Sequence, residues 1–201
     1  MGQGVAHGRW YEDACAAAFA MELLGERWTL LIVRELMLGP RRFSDIRAEL
    51  PGLSAKVLTE RLARLEEIGV LVRRRLPPPA ATQVFELSDW GRDLEEVMQV
   101  LGRWAVRSPL HDASLPMTPT SFLLSLRTMI DASRADEVEA RVLFRTPDNV
   151  LSATLEGGEL RVRRDPDPVP QADLEYAAES VTRFLGVLYG KRPPDECGVT
   201  I

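Results

Sequence analysis

The stretch Leu50-Pro-Gly-Leu-Ser-Ala-Lys-Val-Leu-Thr-Glu-Arg-Leu-Ala-Arg-Leu-Glu-Glu-Ile-Gly-Val-Leu-Val-Arg-Arg-Arg-Leu76 decides how the rest of the chain is read. Pro51 and Gly52 predict a tight turn. Ser54 stands where an N-cap belongs, its hydroxyl able to accept from free N–H groups of a first helical turn. Leu58, Leu62, Leu65 and Ile68 recur at helical spacing and predict a buried stripe, and Gly69 stops the helix. The other face offers Ala55, Lys56, Thr59 and Glu60, short or polar side chains near the N-terminal end. A helix lying in a DNA major groove presents small or hydrogen-bonding groups there. The same pattern also fits an ordinary amphipathic helix with a solvated face, so the flanking segments have to decide.

Upstream, Asp13 to Leu24 reads as a helix capped by Asp13, with Cys15, Phe19 and Leu23 on its apolar side. Trp28 to Leu38 is almost continuously apolar. It is too short for a membrane span and too long for a typical strand, which predicts a buried helix. Gly39-Pro40 ends it. Phe43, Ile46 and Leu50 mark a short helix that forms a helix-turn-helix pair with the Ser54 helix. Downstream, Val70–Leu76 and Gln83–Leu87 read as paired strands. Pro77-Pro78-Pro79 lacks N–H donors and predicts a stiff loop between them. Such a wing would carry Arg73, Arg74 and Arg75 to phosphates. An edge strand charged against aggregation would look the same. Ser88 is placed to cap a helix from Asp89 to about Val106, striped by Trp90, Leu94, Val97, Leu101 and Trp104. This face is broader than one core of that size needs. It predicts, with Phe19 of the first helix, a dimer interface, packing within one subunit being the alternative.

Nine basic and five acidic residues lie between Arg41 and Arg75, in a chain whose net charge is −5. A basic island in an acidic protein suits a single DNA-facing surface. With 45% hydrophobic and 27% charged residues, the composition is that of a globular protein. No apolar run reaches the ~18 residues of a membrane span. The start lacks the charged-then-apolar order of a secretory signal, and Cys15 and Cys197 have no metal spacing. A cytoplasmic protein without cofactor or metal is expected. No phosphate loop or nucleophile elbow occurs, and His7 and His111 stand alone in predicted loops, so catalysis is not expected.

Several of these segments resemble, in order, the HxlR-type winged helix transcriptional regulators, relatives of the MarR group. They are Cys15, Leu24-Gly-Glu-Arg-Trp-Thr-Leu-Leu-Ile-Val-Arg-Glu-Leu36, Gly39-Pro-Arg-Arg-Phe-Ser-Asp-Ile46, Leu53-Ser54, Leu58-Thr-Glu-Arg-Leu62, Leu65-Glu-Glu-Ile-Gly-Val70 and Leu87-Ser-Asp-Trp-Gly-Arg-Asp-Leu94. The likeness spans residues 13–106. It implies a homodimeric DNA-binding regulator, often a repressor, with Arg42, Lys56, Thr59, Arg64 and the wing arginines near operator DNA. With the residue reading, the DNA-facing set is Arg41, Arg42, Ser54, Lys56, Thr59, Arg64, Arg73, Arg75 and Thr82. Some members of the family sense oxidants or electrophiles through a cysteine at the place of Cys15. Here Ala16 follows it where proline is frequent in the family, and a buried cysteine also serves as a small hydrophobe.

After a linker over 108–118 containing Pro109 and Pro116, Thr118 or Thr120 is placed to cap a helix with Phe122, Leu123, Leu126, Met129 and Ile130 on one side. Strands are expected at Val138–Arg145, Asn149–Glu156 and Glu159–Arg164, the last two joined by Gly157-Gly158. A loop, a short strand at Leu174–Ala177 and a helix at Glu179–Gly190 follow. The whole is α+β: a winged helix-turn-helix domain at 1–107 and a small α+β domain at 119–201. The second part resembles the sterol carrier protein-like domain. That resemblance implies a cavity for an apolar small-molecule effector, for which Phe122, Leu126, Met129, Phe184 and Leu188 are the candidate lining. The same stripes would also simply fill a core. The functional expectation is a ligand-modulated regulator. The alternatives are a regulator switched through Cys15 and a lipid-binding module without DNA function.

Overall fold

A computed structural model describes residues 11–77 and 81–201; His7 and, in the predicted proline loop, Pro78 and Pro79 lie outside the described residues. The chain divides into two compact units, Met1–Arg92 and Asp93–Ile201.

In the first unit the helices are α1 (Ala16–Leu24), α2 (Thr29–Leu36), α3 (Phe43–Glu49) and α4 (Ala55–Glu67). Strands β1 (Leu71–Arg75) and β2 (Gln83–Leu87) follow, then the short α5 (Asp89–Arg92). The expected pair is present: α3 and α4 are joined by a turn in which Gly52 takes φ +89°, a region that only glycine enters freely. Ser54 Oγ accepts from Val57 N–H at 3.2 Å, so the expected cap forms. Leu58, Leu62 and Leu65 are fully buried, each worth about 1.5–3 kcal/mol of burial. They meet a core of Ile32, Val33, Leu36, Ile46, Leu50 and Leu53. Gly69 ends the helix at φ +78°.

The wing is an antiparallel pair in which Leu71 faces Leu87, Arg73 faces Phe85 and Arg75 faces Gln83. Arg41 and Phe85 exchange both backbone hydrogen bonds, at 2.9 and 2.8 Å, which stitches the entrance of α3 to the wing. Ser88 Oγ accepts from Gly91 N–H at 3.0 Å, as expected of a cap.

Two sequence expectations need correction in this half. Asp13 does not cap α1. Cys15 holds the N-cap position, and the Asp13 carboxylate instead accepts from Cys15 N–H at 2.9 Å, two residues on. An aspartate so close in sequence to the first turn satisfies a backbone donor without entering the helix. The helix read as continuous from Asp89 is divided into α5 and α6 (Leu94–Ala105), with Asp93 between them. The apolar stripe runs across the break, so periodicity alone could not reveal it.

The second unit contains α6, α7 (Pro119–Met129), α8 (Ala132–Ala135), β3 (Ala140–Thr146), β4 (Asn149–Glu156), β5 (Glu159–Arg164), β6 (Leu174–Ala178), α9 (Val181–Leu188) and β7 (Val199–Thr200). Thr118, rather than Thr120, caps α7: its hydroxyl accepts from Ser121 N–H at 3.0 Å, with Pro119 at the first helical position. The sheet order is β5-β4-β3-β6-β7. The expected meander β3-β4-β5 is antiparallel, and β6 adds in parallel to the free side of β3. The core is aromatic. Phe122 meets Phe144 edge-on at 5.0 Å and Phe184 at 5.5 Å, and Phe144 stacks on Tyr176 at 5.6 Å. The unit has the expected α+β character.

Candidate nucleic-acid interface

The face of α4 turned away from its leucines carries Lys56, Thr59 and Glu60, and Ser54 stands at the N-cap; all four are exposed. For the three helical positions this follows from the period: with Leu58, Leu62 and Leu65 inward, they face out, while Ser54 is exposed because it stands at the helix end. Lys56 is the freest of them, its side chain 86% exposed and only 4.0 Å from Glu60, one turn on. Such a pair contributes little and leaves the ammonium available. The Thr59 hydroxyl donates back to the Ala55 carbonyl at 2.9 Å, so it offers a solvent lone pair and a methyl group, while Ala55 itself is half-buried.

Around this helix the predicted basic residues divide by what already holds them. Arg42 is exposed at the entrance of α3, where its N–H meets the Asp45 carboxylate at 3.3 Å. Its guanidinium has no carboxylate among the described residues. Arg47, on α3, is likewise exposed and was not singled out from sequence. Nothing in the local pattern around Arg47 separates a DNA contact from an ordinary solvated arginine. Arg41 is more enclosed and points to Glu49 at 3.5 Å. Arg64 pairs with Glu67 at 2.8 Å.

In the wing, Arg73 reaches Glu66 of α4 at 2.8 Å and lies over the Phe85 ring, Arg74 pairs with Glu86 at 2.9 Å, and Arg75 Nε donates to the Ala81 carbonyl at 3.3 Å. Thr82 is half-buried, its carbonyl accepting from Leu76 N–H at 2.9 Å to close the described base of the loop. The pairs at Arg64, Arg73 and Arg74 are partly solvated. A phosphate can replace the carboxylate in each at small cost.

The other candidate sets lie elsewhere. On α6 no residue is fully buried, and Val97, Val100, Leu101 and Trp104 are exposed, Trp104 by 67%. Leu94 is half-buried there, while Trp90 on α5 and Phe19 on α1 are each about half exposed. Cys15 is exposed at the start of α1. The backbone N–H groups of Ala18 and then Ala17 face its thiol and lower its pKa below the ordinary thiol value, although no full cap bond forms. Of the candidate pocket set, Phe122 and Phe184 are buried in mutual ring contact, Leu126 and Leu188 are half-buried, and Met129 is exposed. A groove of about 330 Å³ in the same unit is lined instead by residues that include Arg145, Pro147, Ala178, Glu179 and Thr200. Among the described residues no cluster could hold a metal ion, and no helix is long and apolar enough to cross a membrane.

A helix pair with a capped, outward-facing second helix, stitched to a two-stranded wing, defines the class of winged helix-turn-helix proteins. Residues 23–111 match the HxlR-like helix-turn-helix family. An uncharacterised HTH-type transcriptional regulator of Bacillus subtilis, YvaP, is 41% identical over 86 residues, which is 43% of this chain and 80% of YvaP. YodB, an HTH-type transcriptional regulator of the same organism, is 40% identical over 86 residues, 43% of this chain and 77% of YodB. The solved reduced form of YodB aligns with 50% of this chain and all of that one, at 35% identity and a TM-score of 0.45. The chain therefore belongs to the HxlR-like helix-turn-helix family, whose members are non-enzymatic transcriptional regulators. Each of these relatives matches half of the chain or less.

Proposed function

We propose that this protein is a homodimeric operator-binding regulator, acting as a repressor, whose α4 enters the major groove while the wing meets the flanking backbone. The observation that carries this reading is the outer face of α4. Lys56 is almost wholly exposed, Ser54 and Thr59 stand beside it, and Arg42 and Arg47 are exposed on the neighbouring helix. Arg41, Arg64, Arg73, Arg75 and Thr82 complete the contact set in this reading. The dimer is supported by α6, whose Val97, Leu101 and Trp104 form an apolar stripe open to solvent. Two copies related by a two-fold axis would present their α4 helices to half-sites about one duplex turn apart. Titration of the chain's own upstream duplex by fluorescence anisotropy at increasing salt is the test. Affinity for one segment, falling log-linearly with salt, is expected. Binding that is equal for every duplex would reject an operator.

A second reading, in which oxidants or electrophiles act through Cys15, is favoured by one observation: an exposed thiol whose pKa is lowered by helix N–H groups. Alkylation of Cys15 is then expected to begin at lower pH than that of a free cysteine, with the buried Cys197 unreactive in the folded chain. Equal pH profiles for Cys15 and a free thiol would reject it. An apolar effector in the second unit would require Phe122 and Phe184 to part.

A further inference from the structure

Arg61 lies on α4 between the buried Leu58 and Leu62, yet it does not project outward with Lys56. Its side chain is only 20% exposed. It reaches back by 34 and 35 positions in sequence: Nε donates to the Arg27 carbonyl at 3.2 Å, and Nη2 donates to the Glu26 carboxylate. Both partners belong to the segment between α1 and α2. The next residue, Trp28, takes φ +79°, a region costly for a side chain of that size. Its ring comes close to Gly52 in the α3–α4 turn, with 3.8 Å from Cη2 to where a Cβ on Gly52 would lie. Arg27 in turn holds its guanidinium over the Trp28 ring, 5.1 Å from the centroid. Of three consecutive residues, two thus touch α4 through Arg61 and the third lies against the turn before it.

We infer that Glu26-Arg27-Trp28 is a strap that fixes the pitch of α4, and that Arg61 and Glu26 are positioning residues for operator recognition rather than DNA contacts. The inference rests on the reading of α4 as the recognition helix. A fork already spent on a carbonyl and a carboxylate has little left for a phosphate. Two points of attachment, one on the helix and one on the turn, restrain rotation of the helix as well as its distance. Base readout depends on such restraint, because bidentate contacts to base edges are lost with small displacements, whereas phosphate attraction survives them.

The sign of one substitution separates the two roles. Glu26→Gln removes a negative charge from a DNA-binding unit. If Arg61 met a phosphate, freeing it from Glu26 would tighten binding, and Arg61→Ala would reduce the salt slope by about one phosphate. If the strap positions α4, Glu26→Gln weakens binding to the operator by about tenfold, the size of a broken side-chain coupling. The salt slope and the affinity for an unrelated duplex then stay as they were. Arg61→Lys, which keeps the charge but not the fork, behaves like Glu26→Gln, and the double variant Glu26→Gln/Arg61→Ala binds no worse than Arg61→Ala alone.

Anisotropy titrations of the full chain and these variants against operator and unrelated duplexes, at two salt concentrations, read all of this. A melting curve of each variant shows that it is folded, and Glu26→Gln is mild enough to remain so. Tighter or unchanged operator binding by Glu26→Gln overturns the strap while leaving the recognition helix in place. A wild-type chain with no preference for any duplex overturns both.

Discussion

Helices α4 and α6 are nearly the same length, 13 and 12 residues, and both are amphipathic, but they resolve that character in opposite ways. Helix α4 buries its leucines completely and shows solvent a polar face. Helix α6 buries no residue fully and shows solvent Val97, Val100, Leu101 and Trp104. Its Glu95 is turned instead to its own unit, where it pairs with Arg127 of α7 at 3.0 Å. A helix with its apolar side satisfied is free to meet a polar, charged ligand. A helix with its apolar side open gains most from another apolar surface. The difference separates the part of the molecule suited to a duplex from the part suited to a second copy.

The contrast is broken or sharpened most strongly by stability. Leu62→Ala in α4 is expected to cost about 2–5 kcal/mol in urea unfolding, since a fully buried leucine leaves a cavity. Val97→Ala in α6 is expected to shift monomer stability by no more than about 0.5 kcal/mol. Comparable losses at both positions would mean that the exposed stripe is packed after all. Next in size, Trp104→Ala is expected to raise the dimer dissociation constant by about 30-fold or more, read by sedimentation at falling concentration. An unchanged monomer fraction would remove α6 from the interface. The smallest effect concerns Lys56→Ala. It should leave the melting temperature alone, because the Glu60 pair is exposed and long, and lower the salt slope of operator binding by about one.

The same two helices show how much of the molecule was legible in sequence. Ser54, the leucine stripe and Gly69 are local signals, and α4 follows them because cap, period and stop all agree. The strands β4 and β5 carry the predicted limits Asn149–Glu156 and Glu159–Arg164, set by the Gly157-Gly158 turn. What escaped is what depends on distance or on fine backbone geometry. The break at Asp93 leaves the stripe intact. Cys15 rather than Asp13 holds the cap position because the choice between two neighbouring candidates rests on where the first turn closes. The parallel pairing of β6 with β3 and the two-residue β7 have no periodic signature.

In the candidate interface, residue types and helix face were readable, but the ion pairs were not. Glu66 finds Arg73, and Glu26 finds Arg61, only once the chain has folded back on itself. The candidate pocket shows the same limit. An apolar stripe predicts that Phe122 and Phe184 are inside, not whether ring contact or a ligand fills the space beside them.

The chain has two lysines, Lys56 and Lys191, and this makes one measurement especially direct. Both are exposed, and they lie in different units. Acylation rates of the two amines, measured by mass spectrometry with and without the upstream duplex, compare the proposed DNA face with an internal control. The account predicts that saturating duplex slows reaction at Lys56 severalfold while Lys191 reacts as before. A bound duplex that leaves Lys56 as reactive as in the free protein would contradict the placement of α4 against DNA.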